Sequence, residues 1–212
     1  VMVVLNNGKT GAVTFIGTVS PAGGNLKEPV TESTKKAARC FYALEQNRAD
    51  QKRYPAVNPI DSYSKYLEYP EIREFLDEKI EKGWADMVAK AKNIIRQGRD
   101  AAEQINILGD DGVPMSYHET FWKSELLDFV FLQQDAFDAV DSLCPLERQK
   151  YMLNLILDIC DRKFEFDNFE DCRNFFKEMI NDLRQMNYTD FHSEDFEKYN
   201  SQLSKLLEEN GK

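Results

Sequence analysis

The sequence contains no long run of apolar residues. Its longest uninterrupted apolar runs, such as residues 1–5, are only a few residues long, whereas a helix that spans a bilayer needs roughly 20. We therefore expect no direct insertion into a membrane. The composition of 42% hydrophobic, 12% aromatic and 30% charged residues excludes a disordered chain. A chain of 212 residues is long enough to bury a core without disulfides or metals.

Histidine and paired cysteine are also scarce. The chain has two histidines, His118 and His192, and neither belongs to an HExxH or other metal-spaced pattern. The four cysteines form no CxxC pair, which predicts free thiols and argues against a disulfide or a zinc site. They are Cys40, Cys144, Cys160 and Cys172. Hydrolysis that depends on histidine is therefore poorly supported.

Positive charge is scarce over most of the chain. Residues 1–60 carry eight basic and four acidic side chains, whereas residues 61–212 carry 19 basic and 33 acidic ones. The second part has a net charge of −14 and should repel nucleic acid. Five of the ten glycines fall in the first 24 residues and four of the seven prolines in the first 60. Charge and composition thus change together, which predicts a domain boundary near residue 60.

The first 66 residues contain signals for strands, one helix and a loop. Residues 1–5 and 12–20 are rich in Val, Thr and Ile and flank an Asn-Gly step, which predicts a β-hairpin. A helix is predicted to begin near Thr31 or Ser33 and to continue through Ala37, Phe41 and Leu44, which share one-face spacing. Because prolines interrupt the pattern, residues 54–66 are predicted to be irregular.

From residue 71 onward nearly the whole chain has helical periodicity. Apolar residues recur every three or four positions in successive stretches, separated by turn signals. This pattern predicts a bundle of about six helices with a packed core. The fold class is therefore mainly α, with a helical bundle preceded by a β-hairpin and a helix. Most of the 14 phenylalanines and six methionines lie on the apolar stripes, which a core explains better than a cofactor site.

Gly8-Lys9-Thr10 resembles the end of a nucleotide-binding phosphate loop. The full loop needs a glycine five residues earlier and must lie between a strand and a helix. Val3 occupies the earlier position, and Thr10 leads into a predicted strand. The tripeptide is therefore interpreted as a hairpin turn.

Five segments, in order along the chain, resemble motifs of one protein family. Residues 19–31 resemble SPPGGDFSEPVT, and residues 131–145 resemble FLQQNAFDPVDAYCP without a gap. Between them lie counterparts of FWALD, HFPAIN and SYSxY at residues 41–45, 53–58 and 62–66. In these five segments the chain resembles the catalytic A subunits of V-type and A-type rotary ATPases. The 67 residues after position 145 resemble the family only in being helical.

The resemblance implies a C-terminal piece of such a subunit. Residues 1–66 would be the end of a phosphate-loop α/β nucleotide-binding domain, and residues 67–212 the helical C-terminal domain. The family's phosphate loop, catalytic Glu and Mg²⁺-side Asp lie upstream of these motifs, so no catalytic residue and no metal ligand is expected in this chain. ATP or ADP with Mg²⁺ would be bound by the full-length subunit. The piece alone is expected to bind ATP at millimolar strength or weaker and to hydrolyse none.

The resemblance also implies an adenine-binding site in the part of the subunit seen here. The aromatic residue of HFPAIN corresponds to Tyr54, and the second aromatic of FLQQNAF corresponds to Phe137. Positions three and six residues further on, Val140 and Leu143, would complete the walls around the base. Leu143 departs from the pattern, because related subunits usually carry Tyr or Phe there.

The implied partners are the B subunits that alternate with A subunits in a ring, the central rotor stalk subunits, and ATP. The implied location is the cytoplasmic face of a membrane, where the complex would couple ATP hydrolysis or synthesis to the transport of H⁺ or Na⁺. Two alternatives stay open. The chain could belong to the non-catalytic B subunit of the same complex, or it could be a helical protein-interaction module with no role in nucleotide binding.

Overall fold

The computed structural model describes the backbone of residues 2–210 and the side chains of residues 4–208. The chain divides into two compact units, Val1–Arg39 and Cys40–Lys212. Each unit is described by itself below. The domain boundary between residues 66 and 67 stays a prediction.

The first unit begins with the hairpin that the Asn-Gly step predicts. Strand β1 (Met2–Val4) pairs antiparallel with β2 (Thr10–Ala12), and Val3 lies opposite Gly11. The turn is closed by the Leu5 N–H, which donates to the Lys9 carbonyl at 2.7 Å. Gly8 has a φ of 76°, a conformation that glycine adopts without a steric penalty. Gly8-Lys9-Thr10 is thus a hairpin turn, as predicted, while Val1 lies outside the described residues.

The predicted second strand is too long. It was expected over residues 12–20, but β2 ends at Ala12 and residues 13–20 form no regular element. A strand needs a neighbour to satisfy its backbone N–H and C=O groups, and no strand among the described residues pairs with residues 14–20. The side chains of Phe15 and Ile16 are 90% and 93% exposed.

The predicted first helix is correct in existence but too long. Helix α1 (Pro29–Ala37) starts with proline at its first position, where the missing N–H leaves no hydrogen bond unmade. It does not reach Phe41 and Leu44. Phe41 lies in strand β3 (Cys40–Phe41), opposite Tyr63 of strand β4 (Tyr63–Ser64), and Leu44 forms a bridge with Val57. Pairing with distant residues therefore overrides the one-face spacing that predicted a continued helix.

The second unit continues with helix α2 (Gln46–Asp50) and then six longer helices, in agreement with the predicted bundle. These are α3 (Pro70–Lys79), α4 (Trp84–Leu108), α5 (Met115–Leu127), α6 (Leu146–Asp161), α7 (Phe169–Asn187) and α8 (Glu194–Asn210). A π-helical turn (Asp128–Leu132) follows α5. The segment predicted to be irregular, residues 54–66, is so except for β4 and the start of a 3₁₀ turn (Lys65–Glu68).

The core of the second unit lies where α5, α6, α7 and α8 pack together. Its fully buried side chains are Leu126, Leu127, Leu153, Ile156, Ile159, Phe176, Met179, Leu183, Met186, Phe196 and Leu203. Helix α4 packs along α5, and Gly98 makes the close approach possible, because a Cβ there would lie 2.0 Å from the Cβ of Ser124. Helix α3 buries none of its residues, and Phe75 is 55% exposed. No helix within residues 2–210 is both long enough and apolar enough to cross a membrane.

Candidate adenine-binding site

Tyr54 lies in the loop that follows α2, and its backbone contacts the start of the segment that carries Phe137. The Gln134 N–H donates to the Tyr54 carbonyl at 2.8 Å. The Tyr54 hydroxyl donates to the Ala49 carbonyl at 3.4 Å, and 53% of the residue is exposed. Two of the sequence-predicted site residues, Tyr54 and Phe137, are therefore carried by segments that are hydrogen-bonded to each other, although they are far apart in sequence.

The loop over residues 133–145 is held in shape by its own aspartates. The Asp138 Oδ1 accepts from the backbone N–H groups of Val140 and Asp141, at 2.9 and 2.8 Å. The Asp141 Oδ2 accepts from the Asp135 N–H at 2.6 Å, and the Asp135 Oδ1 accepts from the Phe137 N–H at 2.9 Å. Burial raises the pKa of Asp141, although the hydrogen bond from Asp135 opposes the shift. These local bonds fix the backbone on which the predicted side chains stand.

The loop presents two of its apolar side chains to solvent. Phe137 is 101% exposed and Leu143 is 77% exposed, whereas Val140 is half-buried. An apolar ring held in water on an ordered loop gains nothing from the core, so the ring is accessible to a ligand. A flat aromatic face can stack on any planar nucleotide base, because every base has a π-face. The arrangement is suited to contacts with a purine ring.

Sequence reasoning missed a cluster of four charged side chains beside Tyr54, of which Arg48 and Asp128 are buried and Arg53 and Glu125 are partly buried. Arg48 pairs with Asp128, and Arg53 pairs with both Glu125 and Asp128. A signal was available, because basic residues immediately precede the Tyr54 segment and two acidic residues three apart precede the 131–145 motif. Spacing within each segment did not show that they meet, since 72 to 80 residues separate the partners.

A cavity in the described part of the chain lies among α2, α4, α5 and α7. It has a volume of about 570 Å³, and none of the four predicted adenine-binding residues lines it. Its walls include aromatic residues from α5 and α7, three arginines and three acidic residues. Because the charges balance and Arg53 is already paired with Glu125, this cavity is not the better candidate for an anionic ligand.

The histidines and cysteines are placed as structural residues. The ring of His118 is buried, stacks on Phe169 with centroids 5.5 Å apart, and has Nε2 at 2.9 Å from the Asp110 carbonyl. All four cysteines are free thiols, as predicted. Burial raises the pKa values of Cys160 and Cys172 to about 12, which leaves these thiols unreactive at neutral pH. Within the described residues, no group of three or more His, Cys, Asp or Glu could hold a metal ion.

The fold defines the class: a helical-bundle domain that follows a β-hairpin, a short helix and short paired strands. Comparison with known families identifies this class. Residues 3–64 match the ATP synthase alpha/beta family, nucleotide-binding domain, and residues 73–183 match the C-terminal domain of V and A type ATP synthase. The chain belongs to this V and A type ATP synthase family.

Similar proteins agree with the family match. V-type ATP synthase alpha chains from Chlamydia pneumoniae and Chlamydia muridarum are 40% and 41% identical over 206 residues, which is 97% of this chain and 34% of each relative. The alpha chain from Protochlamydia amoebophila is 37% identical over 208 residues, 98% of this chain and 35% of the relative. The chain therefore spans about a third of the length of the curated relatives it matches.

A solved structure shares the fold. The ATP synthase subunit NeqB from Nanoarcheaum equitans superposes with a TM-score of 0.52 at 16% identity, over 68% of this chain and 33% of that one. At this identity the likeness supports the arrangement of helices alone.

Proposed function

We propose that this chain is part of the catalytic subunit of a V/A-type rotary ATPase and that its role there is to hold the adenine of ATP. The family membership and the names of the similar alpha chains support the catalytic subunit over the B subunit and over an interaction module. The ATP-hydrolysing or ATP-synthesising reaction itself is assigned to the full-length subunit.

The observation that carries the adenine assignment is the hydrogen bond between the Gln134 N–H and the Tyr54 carbonyl, at 2.8 Å, together with the full exposure of Phe137. It brings two segments with exposed aromatic side chains together on one ordered backbone. Tyr54 and Phe137 supply aromatic faces, and Val140 and Leu143 supply apolar walls that exclude water from the purine. Leu143 is aliphatic and has no aromatic face for stacking, but its exposed apolar side chain can still exclude water from the base.

The residues present fit the base of a nucleotide but not its phosphates. ATP with Mg²⁺ supplies the phosphoryl group that is transferred, and such chemistry depends on cationic groups and Mg²⁺ around the phosphates. The proposed adenine-binding residues are apolar or phenolic, so they bind and orient the base without moving a proton. We therefore expect that the 212-residue chain alone binds ATP weakly and does not hydrolyse it.

The helical domain, residues 67–212, is proposed to couple the nucleotide state of the site to a central rotor in a ring of alternating A and B subunits. Rigid-body rotation of a domain is a common way to transmit such a change. The loop of the site leads directly into α6, so a shift of the loop would move the bundle. In the complete complex this motion would drive, or be driven by, H⁺ or Na⁺ transport, with the subunit peripheral on the cytoplasmic face.

The decisive experiment is Phe137→Ala in the full-length subunit, assembled in its complex. Stacking on an aromatic contributes about 1–3 kcal/mol per base, which corresponds to about a 5- to 150-fold rise in KM for ATP. We expect little change in kcat, because the contact is made in the ground state and the transition state alike. Phe75→Ala is the matched control, since Phe75 is also exposed but lies on α3. An unchanged KM for Phe137→Ala would contradict the assignment.

A further inference from the structure

Two arginines and two carboxylates form an ion-pair cluster beside the proposed adenine site, with Arg48 and Asp128 buried and Arg53 and Glu125 partly buried. The Arg48 Nη1 and Nη2 donate to the two Asp128 oxygens at 2.9 and 2.7 Å. The Arg53 Nη1 and Nη2 donate to the two Glu125 oxygens at 3.0 and 2.8 Å, and Arg53 also pairs with Asp128. Both arginines therefore make two-pronged contacts, which fix direction as well as distance.

The cluster lies next to the point where the two site segments meet. Arg53 is the residue immediately before Tyr54. Asp128 begins the π-helical turn that leads into the 133–145 loop, and its carbonyl accepts from the Gln133 N–H at 2.9 Å. The Arg53 guanidinium also lies over the ring of Phe129, 4.5 Å from its centroid. One side of the cluster thus holds the Tyr54 segment, and the other side holds the start of the Phe137 loop.

Stability does not explain why such a cluster is present. The four side chains are between 8% and 17% exposed, and moving charges out of water costs about as much as their attraction returns. Within the described residues the Nε atoms of Arg48 and Arg53 are buried without a hydrogen-bond partner, which adds a further penalty. Apolar side chains of similar volume would hold the same elements together at least as well. Apolar side chains would not, however, fix the orientation of the Tyr54 segment relative to the loop that carries Phe137.

Arg53, the arginine that pairs with both carboxylates of the cluster, stays positively charged. Burial lowers the pKa of Arg53, but the hydrogen bonds and charges of Glu125, and then those of Asp128, outweigh it and raise the pKa overall. The Arg53 guanidinium therefore stays cationic.

We propose that Arg48, Arg53, Glu125 and Asp128 are positioning residues of the adenine site: their ion pairs set the Tyr54 segment against the loop that carries Phe137. This inference rests on the proposed function. It extends that function by assigning a role to residues that do not touch the base. It also predicts that packing alone cannot replace the cluster.

The test replaces one pair by apolar residues, Arg53→Met with Glu125→Leu, in the full-length subunit assembled in its complex. Arg48 and Asp128 remain paired in this variant, so no carboxylate is left buried alone. We expect a normal melting temperature but a rise in KM for ATP of about fivefold or more, with kcat within about twofold. The inhibition constant of inorganic tripolyphosphate, which has no base, should not change. A cluster whose role is only structural would leave both the KM and the inhibition constant unchanged.

A matched control removes an exposed ion pair far from the loop, Lys90→Met with Asp161→Leu. It should change neither KM nor the tripolyphosphate constant. If the Arg53/Glu125 variant keeps a normal KM while Phe137→Ala raises it, the positioning role is wrong and the adenine site stands. If neither variant raises KM, the adenine site itself is wrong. Should the double variant fail to assemble, Arg53→Lys decides, because it keeps the charge and loses only the two-pronged geometry: a raised KM supports the proposal, and an unchanged KM overturns it.

Discussion

The contact between α4 and α5 at Gly98 allows a prediction whose sign depends on packing. In a helix that packs against nothing, Gly→Ala stabilises by about 0.8–1.0 kcal/mol because alanine is the better helix former. At position 98 the added Cβ would lie 2.0 Å from the Ser124 Cβ and 2.3 Å from its Oγ. Carbon atoms in contact normally lie about 3.5–4.0 Å apart. The two helices would have to separate by about 1.5 Å or more to accommodate it.

We therefore expect Gly98→Ala to destabilise the fold. Overpacking of this kind costs typically about 1–3 kcal/mol, and Ser124 cannot rotate away, because its Cβ is attached directly to the backbone of α5. For a chain of this length each kcal/mol lowers Tm by about 2–4 °C, so the expected fall in Tm is about 2–12 °C. Thermal unfolding followed by circular dichroism at 222 nm, a wavelength set by the helical backbone, measures it.

A second substitution identifies the cause. In the double variant Gly98→Ala/Ser124→Gly the crossing again has a single Cβ, so Tm should recover most of the loss. In Gly98→Ala/Ser124→Ala the Cβ of residue 124 remains, and Tm should stay low. A Gly98→Ala variant as stable as the parent, or equal recovery by both double variants, would refute the reasoning that a Cβ overlap determines this contact.

Two further predictions follow from the buried titratable groups. Burial raises the pKa values of Cys160 and Cys172 to about 12, so only about one of these thiols in ten thousand is ionised at pH 8. In the native chain, iodoacetamide should therefore modify Cys40 faster than Cys160 or Cys172, and peptide mass mapping would measure the rates. Equal rates would contradict this. Because burial raises the pKa of Asp141 above its value of 3.8 in the unfolded chain, the folded state binds that proton more tightly, so the contribution of Asp141 to stability is greatest at low pH and is lost as the pH rises through the folded pKa. Urea titrations at several acidic pH values give the free energy of unfolding as a function of pH. The slope of this free energy against pH should be more positive in Asp141→Asn than in the parent, because the variant lacks the contribution that is lost as the pH rises. Equal slopes would argue against this prediction.

Local signals in the sequence predicted most of the fold. The Asn-Gly step was sufficient for the hairpin because a tight turn needs a positive φ, which Gly8 has. The six helices from residue 70 onward followed from apolar periodicity, which depends only on neighbours three and four positions away. The two errors have a shared cause. The segment over residues 13–20 and the stretch that contains Phe41 and Leu44 depend on which distant strand, if any, lies beside them.

The candidate site was less accessible to such reasoning. Tyr54, Phe137, Val140 and Leu143 were identified by resemblance to a family, and nothing in their local pattern marks them as exposed. The pairing within the ion-pair cluster could not be predicted from local spacing, because Arg53 and Glu125 are 72 residues apart and their contact leaves no periodic pattern in the sequence. Charged residues in a sequence are usually on the surface, so the burial of Arg48 and Asp128 becomes visible only when the chain is folded.

The contrast between two phenylalanines shows why the loop is better explained by binding than by folding. Phe176 is fully buried among the aromatic residues of the core, where removal of its ring would leave a cavity. Phe137 is 101% exposed, so the fold gains no apolar burial from it. Yet the backbone beneath Phe137 is fixed by the carboxylate oxygens of Asp135, Asp138 and Asp141. The ordered loop thus presents a side chain that this chain's own core does not bury, and this supports the proposal that Phe137 stacks on the planar base of ATP.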